Sequence, residues 1–154
     1  QVLSRGLGYV YKRQILLWFE EFSLHNIQSL NDSRSDDYVW EGVDGKRALW
    51  WTALADTSRH LFMETKRHVM ISDASDWITN SIRNLSSSGL GIISEPQVDW
   101  DTGGLDAILI GTFHPAISGG IILGCWERST GSKGRIFLSI VDGKVRVKVC
   151  PVRP

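Results

Sequence analysis

The sequence predicts a mainly β domain of the α+β class, an antiparallel or sandwich-like sheet carrying one or two packed helices. Three observations predict it. Asp-Gly occurs at 44–45 and again at 142–143, each time between aromatic or β-branched runs, and this dipeptide supplies the positive φ angles of a two-residue hairpin turn. From Gly91 onward short apolar runs succeed one another without an evident helix-length pattern, which favours antiparallel neighbours over crossovers of a dozen or more residues. One segment, residues 73–85, has clean helical spacing.

Composition bounds the domain. A chain of 154 residues, 42% hydrophobic and 22% charged, fits one globular unit and excludes wholesale disorder. At this size folding removes roughly 68–70% of the unfolded surface from water, so a core forms without staples. Seventeen basic residues against 17 acidic ones argue against a nucleic-acid partner. Cys125 and Cys150 are too few for a disulfide scaffold or a four-thiolate zinc site, and read as packed thiols. Near the start, the longest apolar run, Ile15–Phe19, ends at Glu20 and Glu21, far short of the ~18–20 residues a membrane span needs.

Taken in order, residues 1–14 read QVLSRGLGYVYKRQ, without a period of 2 or 3.6. This stretch resembles the translated library-adapter sequence that precedes many metagenomic reading frames, with Tyr9 a departure. The resemblance implies a non-native leader, one globular domain over 15–154, and a natural protein that begins upstream. Residues 15–30 suit a short helix, with apolar side chains at 15, 16, 19, 22, 27 and 30, and 31–37 a polar loop. Residues 38–51 form a hairpin around Asp44-Gly45, and 61–71 a second one around Thr65-Lys66. In the helix at 73–85, Ala74, Trp77, Ile78, Ile82 and Leu85 share a face, Asp73 caps the start and SSSG at 86–89 ends it. Strands are expected at 91–98, 105–113 and 119–126, then a final hairpin over 135–149.

That last hairpin has a definite register. With Asp142-Gly143 as the turn, the pairs run from Val141 with Lys144 to Ile136 with Val149. Ile136, Leu138, Ile140, Val145, Val147 and Val149 then share a wholly apolar face, whose burial is worth at most roughly 9–18 kcal/mol before entropy is subtracted. Arg135, Phe137, Ser139, Lys144, Arg146 and Lys148 share the other. The VDGK of 43–46 recurs at 141–144 without further similarity, so it marks shared turn chemistry rather than a repeat.

Seven tryptophans, at 18, 40, 50, 51, 77, 100 and 126, are the main compositional oddity. In the expected 38–51 hairpin, Tyr38, Trp40, Leu49 and Trp51 share one face, and Val39, Glu41, Ala48 and Trp50 the other. Either both faces are covered, or one is an aromatic platform for sugars or a partner protein. Arg135, Lys144, Arg146 and Lys148, with Phe137 among them, form a second candidate surface, suited to an anionic ligand or simply to water. Asp99, Asp101 and Asp106 surround a Gly-Gly turn, but an EF-hand fails because Gly103 and Ile110 occupy its fifth and twelfth positions. His60 and His68 lack a third metal ligand, His114 precedes a proline in an expected turn, and Glu95, Asp99 and Asp101 are loop acids of the kind a glycosidase needs two of. No nucleophile elbow, phosphate loop or dinucleotide fingerprint is present.

These observations lead to a non-catalytic, β-rich binding module that contacts carbohydrate or a partner protein through an aromatic face, with no cofactor or metal. The expected ligand-binding residues are Tyr38, Trp40, Trp51, Arg135, Lys144, Arg146 and Lys148. A fragment of a glycoside hydrolase and a structural or assembly subunit are the alternatives.

Overall fold

A computed structural model of the chain describes residues 14, 16–18, 20, 34–65, 89–99 and 101–153. The element order is β1 (Tyr38–Glu41), α1 (Gly45–Thr65), β2 (Ile92–Val98), β3 (Leu105–Ile110), α2 (Pro115–Thr130), β4 (Gly134–Val141) and β5 (Lys144–Pro151), with a 3-10 turn at Ser35–Asp37. The strands form one mixed sheet in the order β1-β4-β5-β3-β2. β1 runs parallel to β4, and the other neighbours are antiparallel. The class is therefore α+β, with a larger helical share and a less uniform sheet than the mainly β, antiparallel expectation.

Two elements account for the difference. Asp44-Gly45 begins a helix rather than turning a hairpin. The Asp44 carboxylate accepts the Arg47 amide at 3.0 Å and its carbonyl accepts the Ala48 amide at 2.7 Å, so the side chain that would favour a tight turn serves as an N-cap. Trp50, Trp51, Ala55, Arg59 and Phe62 then recur at helical spacing as the buried face of α1. This helix also replaces the first strand of the expected 61–71 hairpin up to Thr65. The remainder of that hairpin, and the helix expected at 73–85, lie outside the described residues.

The second element is α2, which occupies the position of the strand expected at 119–126. His114 caps it, its Nδ1 accepting the Ala116 amide at 3.1 Å; Pro115 opens the first turn, and Gly131 at φ +67° closes the last. Its residues from Ile122 to Glu127 are all buried, so it has no polar face and no helical alternation of polarity. α2 carries the chain from β3 across β5 to β4, a crossover between two strands that run the same way.

The final hairpin has the register read from its turn: all six expected pairs, Val141 with Lys144 through Ile136 with Val149, are present. Asp142 and Gly143 both have positive φ, at 51° and 73°. Five of the six apolar side chains are buried, while Ile140, at the hairpin tip, is 52% exposed. At the opposite edge, β2 is kept from pairing further by Pro96 and a bulge between Ser94 and Gln97.

α1 and α2 cover one side of the sheet. Tyr38, Trp40, Ile136, Leu138, Val145, Val147, Val149, Leu105, Ala107 and Leu109 form the sheet's contribution to the core, with Trp126, Ile122 and Leu123 of α2 above them. Among the described residues the sheet therefore has one packed face and one open face, and no second sheet.

Candidate functional site

The strand register arranges the open face in cross-strand rows. One row runs Glu41, Ser139, Arg146, Ile108, Ser94, and the next runs Val39, Phe137, Lys148, Asp106, Gln97. Arg135 and Cys150 flank the second row at one end; Val141, Lys144, Ile110 and Ile92 flank the first at the other. Alternation alone produces this: each strand of β4 and β5 turns every second residue into the core and leaves the intervening one outside.

Three shallow grooves lie on this face. One, of about 490 Å³, is lined by Val39, Glu41, Phe137, Ser139, Arg146 and Lys148. A second, of about 550 Å³, runs past Asp99, Thr102, Lys148, Cys150 and Arg153, and a third, of about 400 Å³, past Glu95, Gln97, Ile108, Lys144 and Arg146. They meet around Arg146, Asp106 and Lys148.

The four basic residues expected on this face are all there, but they are not equivalent. Arg146 grips Asp106 with Nε at 3.0 Å and a terminal nitrogen at 2.6 Å. That hydrogen bond, with the adjacent charge, holds the Asp106 carboxyl below the usual carboxylate range. Lys144 and Lys148 form no ion pair with any described residue. Arg135 lies 3.9 Å from Asp37, a carboxylate already bound by Arg34 at 2.9 Å and Lys133 at 3.2 Å. Its Nε is shielded from solvent and has no acceptor among the described residues.

Tyr38, Trp40 and Trp51 are brought together, but inside the molecule. Tyr38 and Trp40 stack at 6.1 Å, and Trp51, arriving from α1 rather than from a partner strand, meets Trp40 edge-on at 5.6 Å. The three side chains are only 5%, 8% and 7% exposed, so they are core and present no aromatic platform to solvent. Trp40 donates to Thr52 Oγ1 at 2.8 Å, and Trp51 to Glu20 at 2.8 Å. The polar edge of each indole is thus used within the fold.

Two buried polar networks went unrecognised in the sequence because their members are far apart in it. In the first, Glu20 accepts from Arg47 and Trp51, each at 2.8 Å, and faces His114 Nε2 at 3.2 Å. Since His114 Nδ1 accepts the Ala116 amide, its Nε2 is the protonated nitrogen and donates to Glu20. In the second, Glu127 binds Arg34 through both oxygens at 3.0 and 2.8 Å, Arg59 at 3.3 Å, and the Gly134 amide at 2.9 Å. Arg59 also meets Asp56, which accepts the Tyr38 hydroxyl at 2.6 Å.

Burial, then the Asp56 carboxylate, push the Tyr38 phenol well above its ordinary value of 10.0, against the opposing Arg59 guanidinium. A raised folded pKa contributes stability that is fully present below the unfolded value and is lost as pH rises through the folded one. Of the three tyrosines, Tyr38 is therefore expected to be late to ionise. A phenolate absorbance titration checks this: Tyr38→Phe should remove a step above pH 10, and should flatten the alkaline fall in stability measured by denaturation.

The remaining candidates have ordinary structural roles. Asp99 closes the β2–β3 turn, accepting the Thr102 hydroxyl at 2.8 Å and the Asp101 amide at 3.0 Å, which together hold its carboxyl low. Asp106 is committed to Arg146, so Asp99 and Asp106 each have a partner within the fold. His60 is exposed and lies 3.5 Å from Asp56, while His68 is outside the described residues. Among the described residues, no three His, Cys, Asp or Glu side chains are grouped to hold a metal ion, and no helix is long and apolar enough to cross a membrane.

No protein-family model matches this chain, and no curated protein sequence matches it.

Proposed function

We propose that this chain is a non-catalytic binding module that contacts carbohydrate or a partner protein through the open face of its sheet. One observation carries the reading: Phe137 sits in the grooved open face between Val39 and Lys148, flanked by Arg135, Ser139 and Arg146. A planar apolar ring among donors that the fold leaves accessible is what contact with a sugar face or a partner surface requires. The aromatic contact thus moves from Tyr38, Trp40 and Trp51 to Phe137. The catalytic alternative has less support, because two of the carboxylates that line the grooves, Asp99 and Asp106, are both occupied by partners within the fold.

A glycan array probed with the wild-type chain and with Phe137→Ala tests this, circular dichroism confirming that the variant is folded. Retention on a defined subset of glycans, lost in Phe137→Ala, is the expected result. Retention indifferent to Phe137 would move the site off the open face, and no retention on any glycan would leave only the partner-protein form of the proposal.

A further inference from the structure

We infer that the open face takes an acidic polysaccharide, a chain bearing carboxylate or sulfate groups, laid along β5. This rests on the binding-module reading and adds the ligand's chemistry. Lys144, Arg146 and Lys148 occupy successive outward positions of β5, and Arg135 extends the line beyond Lys148 as the cross-strand neighbour of Cys150. Outward positions on one strand recur every ~6.6–6.8 Å, so the line of cations is about 20 Å long. Arg146 is paired along it with Asp106. Lys148 stands across from the same Asp106 and shares its field, but neither it nor Lys144 forms an ion pair with a described residue, and Arg135 has only a distant share of Asp37. The chain as a whole carries equal numbers of acidic and basic residues, so this line is a local excess rather than a reflection of overall charge.

The shape and the uncharged groups select among polyanions. Single-stranded nucleic acid is held by a succession of stacking rings, and this track has one, Phe137. The grooves are shallow and merge, as suits a linear polymer rather than a compact ligand. Ser139 and Ser94, in the row of Arg146, and Gln97, in the row of Phe137 and Lys148, place hydroxyl and amide groups beside the cations. A charged sugar chain uses all of these together: its anions on Lys144, Lys148 and Arg135, one ring face on Phe137 and its hydroxyls on the neighbouring polar side chains.

The test is affinity at low and high salt for four probes: heparin, polygalacturonate, neutral xylan and poly-L-glutamate. The proteins are the wild type, the Lys144→Gln/Lys148→Gln pair, and Lys46→Gln as an exposed control on α1. Heparin and polygalacturonate should bind, weaken with salt and lose about tenfold in affinity in the paired variant, with no change in Lys46→Gln. Lys144→Arg/Lys148→Arg should bind as the wild type does. Equal losses in Lys46→Gln would reveal nonspecific charge attraction and overturn the inference. Salt-insensitive binding of xylan alone, or preference for poly-L-glutamate, would overturn it while leaving the binding-module reading in place. No binding to any of the four probes would overturn the inference and leave the binding-module reading only in its partner-protein form.

Discussion

Gly120→Ala is expected to destabilise this protein by more than about 3 kcal/mol, beyond the ~1–3 kcal/mol usual for an added methyl in a packed core. A Cβ at this position would overlap the Ala55 carbonyl oxygen and lie 2.8 Å from its carbon. Both are backbone atoms of α1, so no rotamer change relieves the overlap and the two helices must part. Elsewhere in a helix the same substitution gains up to ~1 kcal/mol, because glycine is a poor helix former. The contrast gives the measurement. Gly45→Ala, in open space at the start of α1, should raise the urea midpoint slightly, and Gly124→Ala, which meets the movable Phe62 ring at 2.9 Å, should lower it moderately. Gly120→Ala should lower it most. Equal effects at all three sites would mean that helix propensity, not the approach of α1 to α2, governs them.

The second large effect is expected at Glu127. Removing its carboxylate leaves Arg34 and Arg59, both largely buried, without their shared partner, and frees the buried Gly134 amide. Breaking a buried ion pair from one side costs ~3–5 kcal/mol, mostly as the penalty of an uncompensated charge. Glu127→Ala should therefore lower stability by that amount, and Glu127→Gln by less, since one acceptor oxygen survives. Asp106→Ala serves as the comparison. Its partner Arg146 is 63% exposed, so this loss should be small and should shrink further in salt, whereas that of Glu127→Ala should not. A Glu127→Ala protein that unfolds at the wild-type midpoint would show the network to be incidental.

How much of the fold can be read from the sequence depends on how locally each feature is encoded. The β4–β5 hairpin was fully legible because Asp142-Gly143 and strict alternation on both sides specify the same register. The basic positions of the open face came with it. The dipeptide at 44–45 is identical and had the opposite outcome, because the residues after it repeat at helical spacing: Ala48, Trp51, Ala55 and Phe62 lie on one stripe. That signal was present and was outweighed by the turn motif, which moved Trp51 from a strand to a helix and turned an aromatic surface into core. For α2 the signal was weaker. A helix buried on every side reads as an apolar run, and only its ends, His114-Pro115 and Gly131, distinguish it from a strand. The polar networks had no local signal at all: Glu20 meets His114 across 94 positions, and Arg34 meets Glu127 across 93.

The parallel pairing of β1 with β4 also bears on how the molecule assembles. Tyr38 pairs with Ile136, so β1, at one edge of the sheet, waits for a strand made 98 residues later. The β2–β3 and β4–β5 ladders need only short loops to close, and form early relative to this contact, whose loop entropy is larger. Until β4 emerges from the ribosome, Tyr38 and Trp40 lack their neighbouring strand. A nascent or truncated chain thus displays the aromatic side chains that the finished protein hides, which makes the interval before β4 emerges its period of greatest exposure to aggregation and to chaperone capture.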